Sequence, residues 1–239
     1  FDYDSEVEGL RALDRYTVRF RLAEARPRFI HTLADPGTLG TVARASLWTG
    51  TAASWLDLTP AGADFSVAQG VDAGQQVGNA YLTASNARHA SLWSGTAASW
   101  VDLHPTNPGF NSYAFSVGGG QQVGLAEVQG DEHASLWSGT AGSWVDLHPD
   151  GATTSSANGV SGGQQVGVAD IDEVTHASLW SGTAASWVDL LPAGAAESSA
   201  NGVDAGQQVG YARFAGGGRR ASLWSGTAAS WVDLHVFLP

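Results

Sequence analysis

The chain has 239 residues, 11 Lys and Arg against 23 Asp and Glu, a formal net charge of −12, and no cysteine. Without cysteine there is neither a disulfide framework nor a thiolate metal site, and the redox compartment stays open. The acidic surplus and the complete lack of lysine argue against nucleic-acid binding, which needs clustered cations to neutralise phosphate.

No apolar run approaches the ~18 residues that a membrane helix needs, and no charged-then-apolar leader is read in the sequence. Starting at Phe1 and lacking methionine, the sequence reads as a processed or truncated product. Seven of the eleven arginines fall in residues 1–44 beside seven acids, so the segment is neutral and the rest carries the surplus. Within it, Val7 to Leu22 alternates Tyr16, Val18, Phe20 and Leu22 against Thr17, Arg19 and Arg21, the period-2 pattern of a hairpin.

From Ala45 one segment recurs five times. It reads ASLWTGTAASWLDL at Ala45 and, with small changes, ASLWSGTAASWVDL at Ala90, Ala134, Ala177 and Ala221, at spacings of 45, 44, 43 and 44 residues. A period in the forties with several short strands per unit predicts a propeller array, in which no unit buries its faces alone. The expected fold is therefore all-β, a five-bladed β-propeller with four antiparallel strands per blade and a surplus N-terminal hairpin. Residues 1–28 would form the hairpin or edge extension, and the blades would span about 29–59, 60–104, 105–148, 149–191 and 192–235. Leu33 to Ala43 fits the template of an inner hairpin for blade one. The hairpin at Val7 to Leu22 then covers an exposed blade edge, or is itself the inner part of blade one.

Each unit contains two hairpins. The first is rich in small residues and ends in GQQVG, at Gly74, Gly120, Gly163 and Gly206. In the second, pairing Trp93 with Trp100 sets Leu92 opposite Val101 and Ser91 opposite Asp102. Blades are wedges, so the small hairpin belongs near the axis and the Trp hairpin at the rim. All ten Trp occupy this pair of positions and read as rim packing rather than ligand platforms.

At these motifs the chain resembles the bacterial HAF-repeat proteins, with HASLW at His89, His133 and His176, GQQVG in four units, and Arg44 and Arg220 in place of the outer histidines. The likeness covers about residues 38–239 and implies an exported propeller without an assigned activity. Val7 to Pro36 resembles a fragment of the extracellular solute-binding proteins of peptide ABC transporters. Both resemblances imply an extracellular or periplasmic bacterial setting.

The units vary at one sheet edge, and variable loops on a constant scaffold are where binding residues sit. The candidate ligand-binding residues are Tyr81, Phe110, Tyr113, Asp131, Asp170, Phe214 and Arg219, facing a glycan or a protein. The same register opposes His89 with His104 and His133 with His148, a geometry that suits weak divalent-metal binding. No third ligand accompanies either pair, and copying of an ancestral blade is the favoured explanation. No other cofactor is expected. Asp57, Asp102, Asp146, Asp189 and Asp233 read as ties for the outer strand, accepting from Ser or from a neighbouring His or Arg. The function expected is a non-catalytic binding or interaction module. A passive cell-surface scaffold and a glycoside hydrolase with a channel site are the alternatives.

Overall fold

The computed structural model describes the backbone of residues 10–14 and 17–20, and residues 43–106 and 111–235 in full. The chain divides into two units, Phe1–Val42 and Ala43–Pro239. In the first, β1 (Leu10–Asp14) and β2 (Thr17–Phe20) pair antiparallel, with Leu10 opposite Phe20 and Ala12 opposite Val18. The expected inner hairpin at Leu33 to Ala43 lies outside the described residues apart from its last position, and so does the expected division at residue 28.

The second unit is a five-bladed β-propeller of antiparallel sheets. The described part of blade one is its outer pair, β3 (Ser46–Leu47) and β4 (Leu56–Asp57). Blade two holds β5 (Ala63–Asp72), β6 (Gln75–Leu82), β7 (Ala87–Trp93) and β8 (Val101–Asp102) in sequential order. Blade three repeats it with β9 (Ser112–Gly118), β10 (Gln121–Val128), β11 (Asp131–Trp137) and β12 (Val145–Asp146). Blade four follows with β13 (Thr154–Ser161), β14 (Gln164–Ile171), β15 (Val174–Trp180) and β16 (Val188–Asp189). Blade five is β17 (Ala195–Asp204), β18 (Gln207–Phe214), β19 (Arg219–Trp224) and β20 (Val232–Asp233). First strands of successive blades are neighbours, β5 with β9, β9 with β13 and β13 with β17, which sets the small-residue hairpins inward and the Trp hairpins outward.

The GQQVG element has a separate task at each position. Gly163 supplies the positive φ of the hairpin turn. The buried second Gln joins two turns: Gln165 Nε2 donates to Gly163 O at 3.0 Å, and its Oε1 accepts from the Gly182 N–H at 2.8 Å. Val166 is core. The last glycine faces a β-bulge in the first strand, where a Cβ on Gly167 would sit 1.9 Å from Ser156 O, a contact no other residue avoids. The Trp hairpin closes through a 3₁₀ turn at Ala97–Ser99, with Ser99 Oγ donating to Thr96 O at 2.6 Å and accepting from the Ser94 N–H.

Blades pack face to tail. The aliphatic face of blade two, Val77, Ala90, Leu92 and Leu103, covers Ala114, Val117 and Trp137 of blade three, and the same contact recurs between three and four and between four and five. Trp93, Trp137, Trp180 and Trp224 are fully buried, each contributing roughly 4–6 kcal/mol gross at about 25 cal/mol per Å². The second Trp of each hairpin is partly exposed and anchored by its indole: Trp100 Nε1 donates to Ser91 Oγ at 2.9 Å.

Candidate functional site

The variable edge begins one residue beyond a row that hardly changes. In that constant row Asp102 Oδ2 meets His89 Nδ1 at 2.7 Å, Asp146 meets His133 at 2.8 Å and Asp189 meets His176 at 2.9 Å. In the outer units Arg44 and Arg220 take the histidine's place, 2.7 Å from Asp57 and 2.8 Å from Asp233. The paired Ser has another partner, since Ser91 Oγ donates to His89 O and accepts the Trp100 indole. Burial raises the Asp57 carboxyl, yet hydrogen bonds from Thr59 and Arg44 outweigh it and hold the group below the usual carboxylate range.

The opposed histidines stack. His89 and His104 have ring centroids 4.1 Å apart and His133 and His148 3.9 Å, with rings within 18° of parallel. Their Nδ1 atoms are engaged: those of His89 and His133 by aspartates, those of His104 and His148 by Ser112 and Ser155 hydroxyls at 2.8 Å. Stacked rings direct their nitrogens sideways rather than to a shared point. Among the described residues no three His, Cys, Asp or Glu side chains are grouped to hold a metal ion.

At the next row the blades part company. Blade two carries Phe65, Tyr81 and Arg88 across its first three strands. Blade three has Glu127 opposite Glu132, blade four Thr154, Asp170 and Thr175, and blade five Glu197, Arg213 and Arg219. The row lies at the same distance from the first-strand bulge in blades two, four and five. Blades two and five carry a second register shift beside it, between Ala63 and Phe65 and between Ala195 and Glu197, so the local backbone differs as well as the side-chain chemistry.

Blade two's row forms the most developed feature. Phe65 and Tyr81 stack with centroids 5.0 Å apart, and the Tyr81 hydroxyl donates to Asn86 Oδ1 at 2.6 Å. The Arg88 guanidinium lies 5.3 Å from the Phe65 centroid and 5.9 Å from that of Tyr113, and donates to the Tyr113 hydroxyl at 3.2 Å. The Arg88 N–H donates to Asn111 Oδ1, and Asn111 in turn to Glu127 Oε1, so the row is tied to blade three. Of these side chains Phe65, Arg88 and Tyr113 border an open depression of about 410 Å³, which Val67, Asn79, Phe115 and Glu132 also line. Of the arginines in 43–235, Arg44, Arg213, Arg219 and Arg220 pair with carboxylates; Arg88 pairs with none among the described residues.

The expected residues thus separate. Tyr81 and Tyr113 come together around Arg88. In blade five, Arg219 stacks on Tyr211 at 4.2 Å, Phe214 packs on Trp231 at 5.2 Å, and Arg220 lies 5.4 Å from Phe214. Asp131 is exposed at the start of β11. Asp170 accepts from the Thr154 hydroxyl at 2.7 Å, while its other oxygen is buried without a partner. Phe110 lies outside the described residues. Phe65, Arg88 and Phe115 were not among the expected residues, although the register that opposes Tyr81 to Arg88 is present in the repeat.

A hydrogen-bonded relay, carried by no motif in the sequence, lies beside this row in blade two. Ser85 Oγ lies 2.9 Å from His89 Nε2, and His89 Nδ1 lies 2.7 Å from Asp102. Ser, His and Asp are thus linked in the order that activates a serine hydroxyl. The N–H groups of Ser85 and Asn86 are consumed by turn bonds to Leu82 O and Thr83 O, which leaves them unable to stabilise an oxyanion.

No protein-family model and no curated protein sequence matches the chain. Among solved structures, it is similar to a protein of Agrobacterium tumefaciens assigned as TolB, with TM-score 0.57 and 10% identity over 80% of this chain and 79% of the other. It is also similar to Pyrococcus horikoshii acylaminoacyl peptidase, with TM-score 0.52 and 12% identity over 71% of this chain and 27% of that longer one. At such identities the likeness is one of fold: the chain shares the β-propeller architecture of these proteins.

Proposed function

We propose that the chain is a non-catalytic, exported binding module, related to the HAF-repeat proteins, whose variable edge takes a protein ligand through the depression between blades two and three. The observation that carries this reading is Arg88, a cation held against two aromatic rings at the rim of a depression and without a carboxylate partner among the described residues, on a chain of net charge −12. A carboxylate from a partner is the group that completes it, in a charge-assisted hydrogen bond. A glycan fits less well, because Phe65 has Tyr81 on one side and Arg88 close to its ring, and so offers no open face to a sugar. Export is inferred from the resemblance of the repeat, and the fold shared with TolB is compatible with a protein partner.

The test is a peptide array of acidic and matched neutral sequences beside a glycan array. Acidic peptides are expected to be selected, and Arg88→Ala to weaken them by about tenfold or more, the usual cost of losing a charge-assisted anchor. Equal binding by the variant, or selection of glycans alone, contradicts the reading; a blank on both arrays favours the passive scaffold. A second reading, a serine hydrolase, is favoured by the Ser85–His89–Asp102 relay. It requires that a fluorophosphonate label Ser85, whereas a relay without oxyanion donors is expected to remain unlabelled.

A further inference from the structure

Asn79 departs from the repeat one step further into blade two than the Arg88 row. On β6 it stands opposite Val67 and Ala90, two residues from Tyr81 and on the same face, so about 7 Å along the strand from the variable edge row. The same register position holds Leu125 in blade three, Val168 in blade four and Tyr211 in blade five. A blade therefore folds with an aliphatic or aromatic side chain here, and packing alone does not call for an amide. Asn79 is only 6% exposed, and it lines the depression between blades two and three together with Arg88. Its side-chain amide makes no hydrogen bond among the described residues, although buried polar groups are generally paired. Val67 and Phe115, which also line the depression, bring no side-chain donor or acceptor.

We infer that Asn79 reads a peptide group of the ligand, so that the depression takes a carboxylate and a neighbouring backbone amide together. The inference rests on the peptide-binding reading of this depression and names what is recognised there. The Asn79 amide has a donor end and an acceptor end, the complement of the C=O and N–H of a peptide group. An unpaired buried amide is a cost to the free protein, and a ligand that supplies both partners relieves it. Arg88 takes the carboxylate in a charge-assisted hydrogen bond. A carboxylate with no adjoining amide fills only the Arg88 half of the site. At about 410 Å³ the depression lies at the small end of ligand pockets, so it admits a short stretch of chain rather than a folded surface.

The experiment titrates the full chain by calorimetry with acetyl-Ala-Ala-Asp-Ala-Ala-amide, with the same peptide N-methylated at each backbone nitrogen in turn, and with glutarate, a carboxylate that has no amide. The variants are Asn79→Leu, which carries the residue blade three has at this position, and Arg88→Ala; circular dichroism checks that each folds. Asn79→Leu is expected to bind the parent peptide about tenfold more weakly and glutarate as the wild type does. One N-methyl position is expected to weaken the wild type about tenfold and to leave Asn79→Leu indifferent, because only the wild type contacts that N–H. Equal binding of the parent peptide by Asn79→Leu and wild type overturns the inference, and so does an N-methyl series to which both respond alike. Glutarate weakened as much as the peptide also overturns it, by making Asn79 a support for the shape of the site. In each of these cases, loss of the peptide in Arg88→Ala keeps the peptide-binding reading standing. If Arg88→Ala binds like the wild type, or the wild type binds none of these probes, that reading and the inference fall together.

Discussion

The two stacked histidine pairs set a pH response at the level of single residues. His104 and His148 both lie below the usual imidazole value of 6.5, first because burial disfavours the cation and then because His89 or His133 repels a second charge. Asp102 and Glu127 oppose this at His104, as Asp146, Asp131 and the Ala152 carbonyl do at His148, without reversing it. Below pH 6.5 the unfolded chain takes up protons that these folded histidines resist, so stability falls on acidification and the loss levels off below their folded-state values. The Asp57 and Asp233 carboxyls are held low, so their contribution is lost only at still lower pH. Thermal unfolding is therefore expected to move down between pH 7.5 and 5.5, by about 2–4 °C for each kcal/mol lost. The double variant His104→Gln, His148→Gln should show a flatter profile; parallel profiles would remove the histidines as the cause.

At the scale of the element, the register of the Trp hairpin was legible because its alternation has only one pairing that puts aliphatic residues on one face. Ser91 opposite Asp102 and Leu92 opposite Val101 stand as read, and Leu103 N–H reaches Ala90 O at 2.8 Å. The 3₁₀ turn at Ala97–Ser99 was not legible, because Thr96 and Ser99 act through hydroxyl contacts to backbone that leave no periodicity. The bulges opposite Gly78, Gly124, Gly167 and Gly210 were hidden for a related reason: the sequence shows a glycine but not the carbonyl that excludes its side chain. The opposition of His89 and His104 was readable, whereas the stacking that turns their nitrogens sideways depends on Asp102 and Ser112. Of the proposed face, Tyr81 and Tyr113 were singled out by their position at a variable edge. Phe65 and Arg88 escaped because one stands at a strand entrance and the other directly beside a constant histidine.

For the whole molecule, repetition acts as an internal control. Four complete blades share a rim, a core and a Gln-tied pair of turns, and they differ at a single row of the sheet edge and the loops around it. On the proposed function, the constant parts supply the scaffold and the variable row supplies recognition. Because Phe65, Tyr81 and Arg88 occupy the register positions of Thr154, Asp170 and Thr175, blade two can be given blade four's row without touching a core position, although blade two has a second bulge beside it, between Ala63 and Phe65, that blade four lacks. The most direct measurement is peptide binding by the triple variant Phe65→Thr, Tyr81→Asp, Arg88→Thr, with its melting temperature recorded alongside. The account predicts a melting temperature within about 4 °C of the wild type, as for a change near 1 kcal/mol, and loss of acidic-peptide binding. Full binding by the transplanted blade would contradict it and place recognition outside this row.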